Sequence, residues 1–148
     1  MTDRTCYAIA DLSTQQGLIR RFGLIVRRPD VSTERFTWHW REVHGPLGIH
    51  ALPDTVLGYV QTLATDRTVP KPSRTPYDGA SEAWFASIED GQALGQSPAM
   101  QALRDDLATF TDTGKMVTLL CEQEAVTVSD AGHREHFVAK ALLFMRRR

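Results

Sequence analysis

Residues 19–27 read Ile-Arg-Arg-Phe-Gly-Leu-Ile-Val-Arg, β-branched and aromatic at the centre and stopped by Pro29-Asp30, which predicts a first strand. The period then changes. From Ser32 the apolar residues Phe36, Trp40, Val43 and Leu47 fall on one stripe of a helix, with Ser32 or Thr33 as its cap and Glu34 in the first turn, where the helix dipole favours an anion. Gly45-Pro46 interrupts this pattern. Proline suits the first turn of a new helical segment, so a bend is expected just after His44, presenting His44 at a helix end, with a short second segment carrying Leu47 and His50. Pro53-Asp54 closes the helical region and residues 56–64 form a second strand. Residues 66–79 hold three of the seven prolines and make a long loop, expected to move relative to its flanking strands. Residues 82–87 are a third strand, and Ser87 caps a short helix over 88–94. Ser97-Pro98 opens a longer helix in which Met100, Leu103, Leu107 and Phe110 recur at helical spacing, and residues 115–126 are a fourth strand.

The order β-α-β-β-α-β is the ferredoxin-like arrangement of the α+β class, four antiparallel strands with two helices on one face. It assigns 1–18 to an N-terminal arm, 19–127 to the domain and 128–148 to a tail. Residues 140–147 repeat the pattern of 21–28, so the tail is read as a possible extra strand. The strand interiors Leu24-Ile25-Val26, Val56-Leu57, Trp84-Phe85 and Leu119-Leu120-Cys121 are apolar on both faces. Two helices cover one face only, which predicts a homodimer whose sheets pack face to face.

Composition narrows the function. The 148 residues suit one domain, and 17 basic against 18 acidic residues, spread along the chain, leave no footprint for nucleic acid. Cys6 and Cys121 form no Cys-x-x-Cys pair, Cys121 reads as a buried small hydrophobe, and a reducing, cytoplasmic setting is the default. No apolar run is long enough for a membrane span, and the start lacks the order of a signal peptide. No Gly-rich phosphate loop, serine elbow or nucleotide fingerprint occurs, which leaves ATP, NAD and flavin without support and the cofactor expectation at none.

Phe36-x-x-x-Trp40-x-x-x-His44-Gly-Pro-Leu, Leu52-Pro53, Gly58-Tyr59, Tyr77-Asp78-Gly79, Glu82-x-Trp84-Phe85-x-Ser87, Ser97-Pro98 and Asp106-Leu-x-x-Phe110-x-Asp112 follow one another in an ordered series. Together they resemble the EthD family of dimeric α/β barrel proteins, from about Phe22 to Val126. The resemblance implies the fold and the dimer more firmly than a reaction. The family includes or sits close to small cofactor-free enzymes, such as methylmuconolactone isomerases and the decarboxylases or dehydratases of polyketide anthrones, beside many members without assigned activity.

The candidate catalytic residues are His44, Tyr59, Glu82 and Asp106, and the candidate pocket residues Trp40, His50, Trp84 and Phe110. His44 titrates in the range that suits proton transfer, or else caps carbonyls at a helix end. Tyr59 offers a hydroxyl to a substrate oxygen, or hydrogen-bonds within the core. Glu82 and Trp84 share a strand face, as acid or base and flat wall, or as a strand-end charge and ordinary packing. Asp106, beside the apolar stripe of its helix, orients a histidine or acts as a base, or is a solvated charge. His39, His44 and His50 invite a metal reading that fails on geometry, because positions five apart lie about 140° apart on an α-helix. His133-x-x-His136 is a weaker candidate in the tail.

Three functions follow. The first is a cofactor-free enzyme doing proton-transfer chemistry, by isomerisation, dehydration or decarboxylation, on an apolar cyclic or aromatic metabolite between sheet and helices. The second is a binding protein with the same pocket and no turnover. The third is a cofactor-free monooxygenase on the same barrel.

Overall fold

The computed structural model of the chain describes Leu12, residues 15–64 and residues 76–124. The mobile loop expected over 66–79, the two-histidine motif at 133–136 and the extra strand of the tail fall wholly or largely outside these residues. Strand β1 (Ile19–Ile25) leads to a helical run made of α1 (Thr33–His39), a π turn (Trp40–His44) and α2 (Gly45–Ala51). Strands β2 (Gly58–Leu63) and β3 (Gly79–Phe85) follow, then α3 (Ile88–Leu94), a 3-10 turn (Pro98–Met100), α4 (Gln101–Phe110) and β4 (Val117–Glu122). All pairings are antiparallel in the order β2-β3-β1-β4, the ferredoxin-like sheet.

Local chemistry sets the helix ends. Ser32 caps α1, its Oγ accepting from the Arg35 amide at 3.2 Å, and Ser87 does the same for α3 through the Asp90 amide at 3.2 Å. Past β1 the chain is pinned to the end of α4. Arg28 N–H donates to Phe110 O at 3.1 Å and Asp112 N–H to Val26 O at 2.8 Å, which fixes where the last turn of α4 stands relative to the sheet.

The strand register divides the sheet into two faces. Arg21, Gly23 and Ile25 of β1 lie in line with Ala83, Ser81 and Gly79 of β3 and face the helices, whereas Arg20, Phe22 and Leu24 align with Trp84, Glu82 and Ala80 on the far face. Two clusters fill the helix side. One joins Ile25, Val31, Phe36, Trp40 and Phe110, and the other Ile19, Ala83, Phe85 and Leu94.

On the far face the two central strands are buried, while Val60 and Thr62 of β2 and Leu119 of β4 are only half-buried. Phe22, Leu24, Ala80, Glu82 and Trp84 are all buried, the Arg20 guanidinium lies over the Trp84 ring at 4.9 Å, and Leu12 packs where a Cβ on Gly58 would stand. Cys121 departs from expectation. It lies on an edge strand and is exposed, so it is not a core hydrophobe. Among the described residues no helix is long and apolar enough to cross a membrane.

Candidate active site

The expected bend after His44 is instead a π turn inside one continuous helical run, and Pro46 explains it. A proline has no N–H for the carbonyl of Glu42, and its ring crowds that carbonyl, so the helix widens ahead of it. The Gly45 amide accordingly bonds to Trp40 O, five residues back. The wide turn also overturns the α-helical argument about spacing. An α-helix separates His39 from His44 by about 140°, but an inserted π turn brings positions five apart back over one another.

Both rings meet Asp106 on α4. His44 Nδ1 lies 2.7 Å from Asp106 Oδ2, and His39 Nε2 lies 2.8 Å from Asp106 Oδ1. An ionised carboxylate only accepts, so each of these nitrogens carries a proton and donates it. In its neutral form His44 is then the Nδ1–H tautomer, with the Nε2 lone pair on the other side of the ring and, among the described residues, no partner for it. Burial pulls the His44 pKa below 6.5, and this outweighs the hydrogen bond and charge of Asp106, which raise it. His44 is neutral at pH 7.

Rings lock the arrangement. Phe36, Trp40 and His44 stack along the run, with centroids 6.1 Å apart for the first pair and 5.1 Å for the second. Phe110, one turn beyond Asp106, leans against His39 at 4.3 Å and His44 at 5.7 Å. The buried stripe is thus Phe36, Trp40 and His44, with Val43 and Leu47 only half-buried.

In front of His44 a cavity of about 140 Å³ opens between sheet and helices, lined among others by Arg21, Trp40, Gly48, Tyr59, Ser81, Leu103 and Arg104. Burial pushes the Tyr59 phenol up to about 12, against the lowering effect of Gln61, Ser81 and Arg21 nearby. Tyr59 is therefore a hydrogen-bond donor at any physiological pH. Gly48 stands over the Tyr59 ring, and a Cβ there would lie 3.8 Å from it.

Residues 28–114 match the EthD domain, a stretch that holds His39, His44, Tyr59 and Asp106. The chain belongs to the EthD family. Its fold is shared by an EthD family protein from Bacillus halodurans C-125, at a TM-score of 0.55 and 16% identity over 71% of this chain and 97% of that one. It is shared too by an EthD-like protein from Ralstonia eutropha JMP134, at 0.52 and 16% over 78% and 98% of the two chains. A dimeric protein of ferredoxin-like fold and unknown function from Bacteroides fragilis NCTC 9343 aligns at 0.53 and 15% over 72% and 97%. At such identities the likeness speaks for the fold. No curated protein matches the chain.

In this EthD chain His44, Tyr59, Asp106, Trp40 and Phe110 gather on the helix side of the sheet. Trp40 and Tyr59 line the cavity, while Phe110 supports the rings behind it. Three expected residues stand elsewhere. Glu82 and Trp84 do share a strand face, but it is the far one, because their register with Phe22 and Arg20 turns both away from the helices. His50, in the last turn of α2, is exposed and does not line the cavity. The sequence reading did not select His39, Arg21, Ser81 or Arg104. The alternation that aims Tyr59 at the helices also aims Ser81 and Arg21 there once strand pairing is known.

Proposed function

We propose that this EthD protein is a small enzyme that moves a proton on an apolar cyclic or aromatic metabolite held between sheet and helices, by isomerisation, dehydration or decarboxylation. One observation carries the reading: a buried, neutral His44 has its Nδ1–H tied to Asp106 while the opposite nitrogen remains available at the cavity wall. In this reading Nε2 takes a proton from the substrate, Asp106 stabilises the imidazolium that forms, and Nε2 returns the proton to another substrate atom. Tyr59 donates its hydroxyl to the oxygen on which negative charge collects. Every group the step uses belongs to the chain itself.

The test is solvent exchange. Incubated in D₂O with a panel of cyclic ketones, lactones and aromatic β-keto acids, the protein should label or convert at least one member. His44→Gln should slow that by roughly 10²-fold to 10⁴-fold. Ligand binding that survives His44→Ala, with neither exchange nor turnover in the natural chain, would make it a binding protein instead.

We also propose that the chain forms a homodimer in the cytoplasm. The dimeric bacterial protein of the same fold supports the first part, and cysteine usage free of paired motifs supports the second. A monomer mass by light scattering at micromolar concentration would count against the dimer.

A further inference from the structure

We infer that the cavity takes its substrate as a carboxylate, held by the guanidinium of Arg21. The inference rests on the reading of this cavity as a substrate site and adds the chemical class of what enters it. Arg21 sits at the centre of β1, in register with Ala83 on one side and Leu120 on the other, and it shares the cavity wall with His44, Tyr59 and Ser81.

The other arginines near this strand have partners. Arg20 lies 3.9 Å from Glu82 and donates to Gln123, Arg27 is 3.6 Å from Asp78, and Arg28 is 2.7 Å from Asp30. Arg104, on the same cavity, donates to Gly95 O at 3.0 Å, Ser97 O at 3.4 Å and Gln101 Oε1 at 2.8 Å. Among the described residues nothing accepts from Arg21 or pairs with its charge. A guanidinium does not shed its proton at neutral pH, so a half-buried one facing a cavity lacks only an anion from outside. Burial already lowers the Arg21 pKa, the direction expected of a cation removed from water without a counter-charge.

The surroundings favour a monoanion. Tyr59 and Ser81 contribute neutral hydroxyls, and the second guanidinium on this wall, Arg104, is already engaged by Gly95, Ser97 and Gln101, which leaves Arg21 as the cation with donors to spare among the described residues. A carboxylate suits the planar fork of the guanidinium, and the apolar body behind it would lie against Leu94, Leu103 and Leu107. Gly23 makes room for the Ser81 hydroxyl on this wall, since a Cβ there would stand 2.7 Å from Ser81 Oγ.

The experiment compares benzoate with benzamide by calorimetry at constant ionic strength, in the natural chain and in Arg21→Met. The natural chain should prefer benzoate by at least about tenfold. Arg21→Met should abolish the preference, and Arg21→Lys, which keeps the charge without the fork, should retain part of it. Without ligand, Arg21→Met should melt no lower than the natural chain, since it removes an unpaired charge. Equal affinity for the two probes, or a preference that persists in Arg21→Met, overturns the proposal. If Arg21→Met does not fold, the probe pair in the natural chain and in Arg21→Lys decides by the same criteria. A benzoate preference in a protein that never exchanges substrate protons would retain the subsite and remove the proton-transfer reading. Turnover of a neutral substrate, unchanged in Arg21→Met, would do the reverse.

Discussion

The imidazole of His44 lies flat on the indole of Trp40, with centroids 5.1 Å apart and planes 7° apart. Asp106 holds one edge of the same ring at 2.7 Å. Face and edge are both fixed, so the ring can neither tilt nor flip without losing a contact, and one nitrogen is left for outside chemistry. A base that needs no reorientation before it reacts is the arrangement proton transfer favours.

His44 ties stability to pH. Its folded-state pKa is depressed below 6.5, so between 6.5 and the lower folded value the unfolded chain binds the extra proton first. Its contribution is then whole above pH 6.5 and shrinks as pH falls through that window. Chemical denaturation at pH 7.5 and pH 5 should show a loss on acidification that is smaller in His44→Gln, which has no imidazole to titrate.

Asp106→Asn should lower the His44 pKa further, since the hydrogen bond and charge of Asp106 are what raise it. Nitrogen-resolved NMR titration reads the shift directly. An amide accepts only through its oxygen, so the ring facing its NH2 must either switch tautomer or lose its bond, and stability should drop by about 1–3 kcal/mol. A His44 pKa that stays put or rises would mean that the carboxylate does not govern the ring.

Tyr59 should resist ionisation. With its phenol pushed up to about 12, the folded chain keeps a proton that the unfolded chain gives up near 10, so stability falls as pH rises from 10 towards 12. Ultraviolet titration of Tyr59→Phe against the natural chain isolates this phenol. Its loss should slow turnover while leaving His44 untouched in the NMR spectrum.

Gly48→Ala separates folding from binding. The new Cβ would lie 3.8 Å from the Tyr59 ring and 3.9 Å from Leu103, ordinary contact distances. Alanine gains about 0.5–1 kcal/mol over glycine inside a helix, so the variant should melt higher. Its methyl group also narrows the cavity and should weaken benzoate binding. Gly91→Ala is the contrast, with a Cβ 2.8 Å from a Leu120 methyl, where overpacking of about 1–3 kcal/mol outweighs the helical gain.

The fold was legible because its signals are local. Period changes, Ser32 and Ser87 as caps, and the proline stops define elements within a few residues of where they lie. His44, Tyr59 and Asp106 were legible as site candidates for a related reason, since each occupies a fixed place on an element or in an ordered motif. What could not be read depends on pairing between distant segments. Strand register decides which face Glu82 and Trp84 join, and with it that Arg21 rather than Glu82 lines the cavity. The alignment of His39 with His44 was hidden by the assumption of an α-helical period through a proline.

Pro46 has one more consequence. Most geometry in this chain is maintained by bonds that exist, but the wide turn at Trp40–His44 is maintained by one that cannot form. A regular helix is the state to which such a turn would otherwise relax, and the imide nitrogen bars the way back. Restoring a donor at that position, as in Pro46→Ala, would offer the chain a second register in which His39 and His44 point apart and only one of them can keep Asp106. The shared hold of His39 and His44 on Asp106 is thus protected by an omission, and a substitution that improves helix propensity would be the one to dismantle it.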